Sequence, residues 1–117
     1  LEPAIMGETT GGPGAVELAP DEQVTIEKVM VARDAMARIA ESSAGDCDRA
    51  AKQIGAVVEH SRELLAASAV LERDPDRRTW IGQRYGARIL ASSSKRMALI
   101  DRCEEHEGLT RIFESLE

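Results

Sequence analysis

The sequence predicts an all-α fold: an antiparallel helical bundle of three long helices plus a short C-terminal helix. Three observations carry this. Apolar residues recur at three- and four-residue steps over long segments, the period of one helix face. The segments are separated by compact break signals at 42–45, at 73–76 and at Gly108. The aromatic share is 3% against a hydrophobic share of 43%, so Ala, Val, Ile, Leu and Met must fill the interior. Small aliphatic side chains of that kind let helix axes approach closely. No strand pattern and no internal repeat is present.

The chain divides into a leader, residues 1–19, and a helical domain, residues 20–117. The leader holds Pro3, Gly7, Gly11, Gly12, Pro13 and Gly14 with little apolar periodicity. Such a segment buries too little to offset its ordering entropy and is expected to be a flexible tether. Pro20, Asp21 and Glu22 open the first helix, where a proline fits the first turn and acids complement the dipole. Its stripe is Ile26, Val29, Ala32, Met36 and Ile39. Asp46 is the expected N-cap of the second helix, with the stripe Cys47, Ala50, Ile54, Val57, Ser61, Leu64, Ser68 and Leu71. Asp74 and Pro75 then start a third helix running to about Glu105. Its inner face takes Ile81, Tyr85, Ile89, Ser92, Leu99 and Cys103, flanked by Leu90, Met97 and Ile100, with a bend expected around Gly82, Gly86 or 92–94. Gly108 is expected to end it. A short lid helix follows, with Leu109, Ile112, Phe113 and Leu116 on one face. Ile54, Val57, Leu64, Ile89 and Leu99 are expected in the core.

Charge is unevenly distributed. Residues 1–48 hold ten acids against three bases, whereas residues 75–103 hold seven bases against two acids. Opposite signs on neighbouring helices predict attraction within the bundle; a basic docking face is the sharper alternative. The net charge of −6 argues against a phosphate-backbone partner, so no nucleic-acid binding is expected. No apolar run approaches the ~18 residues of a transmembrane span.

The two cysteines give the strongest local inference. Cys47 stands 27 residues before Asp74 and Cys103 stands 28 after Pro75. At ~1.5 Å per residue both arms of the hairpin climb about 40 Å, so the thiols reach one height. Both also lie on inward stripes. A Cys47–Cys103 disulfide is therefore expected, which implies an oxidising compartment. Two alternatives stay open: a pair of buried reduced thiols, and a zinc site of Cys47, Cys103 and His106 with Asp46 or Glu107.

Other chemistry finds little support. Val57 and Cys103 stand three residues before His60 and His106, so the Glu-x-x-His of di-iron bundles is absent. There is no Cys-x-x-Cys-His for haem attachment. The serines at 61, 68 and 92–94 lie in helices without a Gly-x-Ser-x-Gly elbow. The glycines at 11–14 lack the Lys-Ser/Thr end of a phosphate loop. His106, close to a helix C-terminus, reads as a surface residue interacting with the dipole. No catalytic residue, metal or cofactor is expected.

The pattern Asp46-Cys47-Asp48-x-Ala50-Ala51, the hairpin, Cys103 six residues after Met97, and the Leu109-x-x-Ile112-Phe113-x-x-Leu116 helix resemble the small cysteine-paired helical lipoproteins and periplasmic proteins of proteobacteria. The resemblance spans about residues 20–117. It implies a periplasmic or extracellular location, with a lipid anchor upstream of Leu1 and residues 1–19 as the tether. Trp80-Ile81-Gly82 also resembles the motif of small secreted Trp-x-Gly hairpin proteins, but here it falls inside a helix and the family's C-terminal Tyr-x-x-x-acid signal has no counterpart. The expected function is a non-enzymatic extracytoplasmic protein acting through contacts with a protein partner. The alternative is a small-ligand or metal-binding bundle.

Overall fold

The computed structural model describes residues 17–43 and 45–116; the predicted tether lies outside them except for its last three residues. The described residues form five helices and no strand: α1 Pro20–Ser42, α2 Cys47–His60, α3 Arg62–Leu71, α4 Pro75–Arg102 and α5 Glu107–Glu114. The helices pack into a rod of 53 × 24 × 19 Å.

Each start has a local cause. Pro20 occupies the first turn of α1, and the Glu22 carboxylate accepts the Ala19 N–H at 2.9 Å. Asp46 caps α2 by accepting the Arg49 N–H at 3.0 Å, after a turn in which Gly45 takes φ +96°, the left-handed region that favours glycine. Asp74 accepts the Asp76 N–H at 3.2 Å, and Pro75 begins α4.

Two features of the second and third segments differ from expectation. The second helix is interrupted at Ser61, with φ −104° and ψ 12°. The Ser61 N–H still donates to Val57 O, and Leu65 N–H to Ser61 O, both at 2.9 Å, so one residue bends the chain without ending the column. The bend lets both halves lie on α1, which α2 and α3 contact in turn. The third segment, where a bend was expected, is one continuous helix of 28 residues despite its glycines and serines.

α1 and α4 run parallel. Their partners ascend together: Glu22 with Arg77, Glu27 with Tyr85, Asp34 with Arg88 and Glu41 with Lys95. Three acids of the first segment thus meet three bases of the third along one part-exposed seam. Arg102 Nη2 also donates to Ala40 O at 3.4 Å.

The interior has two apolar clusters. The upper one joins Met36, Ala40, Ala50, Ile54, Leu99, Cys103, Leu109 and Phe113. The lower one joins Leu18, Ile26, Val29, Met30, Trp80, Ile81 and Tyr85, with Leu64, Leu65, Leu71 and Ile89 against it. Leu18 was expected in the tether but is 2% exposed, and its carbonyl accepts from Gln23 Nε2 at 2.8 Å. Ile54 and Leu99 are fully enclosed, whereas Val57, Leu64 and Ile89 are only half-buried. A rod 24 by 19 Å across has too little width to enclose every stripe residue.

Candidate functional site

The upper end of the rod gathers the most chemistry. Cys47 begins α2 and Cys103 follows the last turn of α4, with its N–H donating to Leu99 O at 2.9 Å. Their sulfurs stand 2.07 Å apart, at bonding distance, with Cα atoms 5.8 Å apart. Among the described residues no three of His, Cys, Asp and Glu converge to hold a metal ion.

The third helix ends at Arg102 rather than near Glu105, and Gly108 does not end it but sits in the first turn of α5. His106 is therefore at a helix N-terminus, not a C-terminus. Its Nδ1 accepts the Leu109 N–H at 3.1 Å, capping α5. Its Nε2 lies 2.7 Å from Asp48 Oδ1 in the first turn of α2. An Nδ1 that accepts leaves the proton on Nε2, so the neutral ring donates to Asp48. One side chain thus caps α5 and ties it to α2, where Leu109 and Phe113 complete the upper cluster.

Beneath this lid is a cavity of about 130 Å³ lined by Ile100, Cys103, Leu109, Thr110, Phe113 and Glu114. That is below the ~300–1,000 Å³ of ordinary small-molecule sites. A wider open groove runs along the α1/α4 seam past Ala40, Glu41, Ser94, Lys95, Ala98 and Arg102. Lys95 Nζ is 3.2 Å from Glu41 Oε1, and Arg102 Nη2 donates to Ala40 O. Of the serines, Ser92 Oγ donates to Ile89 O at 3.0 Å and Ser68 Oγ to Glu72 Oε2 at 2.8 Å; neither has a histidine partner.

At the lower end Trp80 and Tyr85 meet edge to face with centroids 6.2 Å apart, and the Arg84 guanidinium lies 5.1 Å from the Trp80 ring centroid. The Tyr85 hydroxyl donates to Glu27. Burial, then this carboxylate, pushes the phenol above its ordinary value.

The outer face of α4 carries a feature the sequence reading placed differently. Leu90 and Met97, expected to flank the inner face, are 69% and 56% exposed. They stand seven residues apart on this face, with Ser93 and Ser94 between them. No helix of the described residues is long and apolar enough to cross a membrane. No protein-family model, curated protein or solved structure matches the chain.

Proposed function

We propose that this chain is a non-enzymatic extracytoplasmic helical module that works through contacts with another protein. The observation that carries the location is the Cys47–Cys103 pair at bonding distance, since such bonds persist in oxidising compartments. The contact surface is the face of α4 that exposes Leu90 and Met97. Two large apolar side chains one heptad apart, on an outer face otherwise polar, fit an α-helix laid alongside. The proposed occupant is therefore an amphipathic helix of the partner. The remaining features suit a scaffold: acids and bases pair along the α1/α4 seam, and the cavity beneath the lid is small.

Alkylating thiols in intact producing cells before lysis tests the location. A monomer lighter by two hydrogens and free of alkyl groups is expected, whereas two alkylated cysteines would overturn it. A photo-crosslinker at position 90 or 97 tests the surface, with position 62, an exposed α3 residue, as control. Discrete protein adducts from 90 and 97 but not from 62 are expected. Equal labelling from all three would overturn the contact surface.

A further inference from the structure

α4 is one unbroken helix from Pro75 to Arg102, and one of its sides is bare over most of that length. Gln83, Ala87, Leu90, Ser94, Met97 and Asp101 are all exposed and recur at alternating steps of four and three. That spacing is the seam of a two-stranded coiled coil, with positions 87, 94 and 101 in one row and 83, 90 and 97 in the other. Leu90 and Met97 project from the second row, while the first offers only the small side chains of Ala87 and Ser94 before Asp101. The helix therefore carries knobs and gaps on the same face.

The order of these residues decides what covers them. α4 can be laid antiparallel on a copy of itself, in the register that sets Leu90 opposite Ser94 of the second copy. Met97 then falls opposite Ala87, and Gln83 opposite Asp101. Each apolar layer joins a large side chain to a small one, so the two axes keep an even separation. The Gln83 amide meets a carboxylate acceptor, and exposed Arg84 at the edge of the face stands beside Asp101 of the second copy. Two-fold symmetry repeats every one of these pairings. A parallel pair sets Leu90 on Leu90, Ser94 on Ser94 and Asp101 on Asp101. Its layers alternate wide and narrow, and like charges oppose each other.

We infer that this chain pairs with a second copy through the exposed face of α4, with the two helices antiparallel. The inference rests on the reading of that face as the contact surface, and it names the amphipathic helix laid there as α4 itself. The strip from Gln83 to Asp101 is about 27 Å long and one helix wide. An interface of that extent belongs to the small, exchanging class, so the dimer should dissociate on dilution.

Sedimentation equilibrium of the full, disulfide-bonded chain tests this. A reversible monomer–dimer equilibrium is expected below about 1 mM. Leu90→Glu and Met97→Glu should each weaken association by about tenfold or more, with the Tm of the dilute chain unchanged because both side chains are exposed. Arg84→Glu and Asp101→Arg should each weaken it roughly twofold to fivefold, and the two together should restore it. A parallel pair keeps these residues far apart and gives no such restoration. If the Arg84 variants do not fold, the Leu90 and Met97 variants decide. A chain that stays monomeric at about 1 mM, or a dimer indifferent to both glutamates, would overturn the inference. A monomeric chain that still yields discrete adducts with a different protein from positions 90 and 97 would sink self-pairing and leave the contact surface standing.

Discussion

His106 caps α5 with one ring nitrogen and reaches α2 with the other, so substitution separates its two roles. His106→Ala removes both contacts and should lower stability by roughly 1 kcal/mol, the usual worth of a cap. His106→Asn restores a capping oxygen without the reach to Asp48 and should recover most of that loss. Urea midpoints at unchanged slope measure both variants; equal losses would mean that the cap is not what His106 contributes. Tyr85 offers a second probe at this scale, being the sole tyrosine. Its phenol is raised above 10.0 first by burial and then by Glu27. The unfolded chain therefore releases the proton earlier, and the Tyr85 contribution, complete below the unfolded value, is lost as pH rises through the folded midpoint. Phenolate absorbance should titrate above a free tyrosine. Glu27→Gln should bring the midpoint only part of the way down, because burial persists. Of these two residues only Tyr85 had its inward position legible in the sequence. His106 was obscured because Gly108 resembles a helix stop, although it belongs to the first turn of α5.

Between elements, the α1/α4 seam sets the direction of the rod. The Asp34–Arg88 pair, with Nη2 2.7 Å from Oδ2, is partly exposed. A double-mutant cycle to Ala at both positions should give a coupling of roughly 0.2–1 kcal/mol that shrinks with added salt. A coupling indifferent to salt would show that the pair acts through packing. Enclosure predicts a graded response along one helix. Ile54→Ala should cost roughly 2–5 kcal/mol in chemical unfolding, and Val57→Ala less, because Val57 is already half open to solvent. Helix starts were legible because Asp46, Asp74 and Pro75 have local mechanisms, and the opposite charges of the first and third segments foretold their attraction. The Ser61 bend was not legible. The apolar stripe continues through it unchanged, and only the need of both halves to follow α1 produces it.

For the molecule as a whole, the sequence already contained the spacing that brings Cys47 and Cys103 to one height, since two arms of nearly equal length rise from one turn and the Ser61 bend in one of them hardly shortens it. The division of the core into two clusters was hidden, because the expected stripes run through Ala32, Ser61 and Ser92 without a break. The exposure of Leu90 and Met97 was hidden too, because periodicity gives the centre of an apolar face and not its width. The disulfide joins residues 56 apart and closes the rod at the end where α2, α4 and α5 meet. In the chain-entropy model a loop of that length contributes about 4 kcal/mol. That is a large share of the ~5–15 kcal/mol that keeps an ordinary domain folded. Thermal unfolding of the same sample with and without a reductant tests this most directly. The account predicts a Tm lower by roughly 10 °C or more once the bond is reduced. An unchanged Tm, with reduction verified by alkylation of both cysteines, would contradict it.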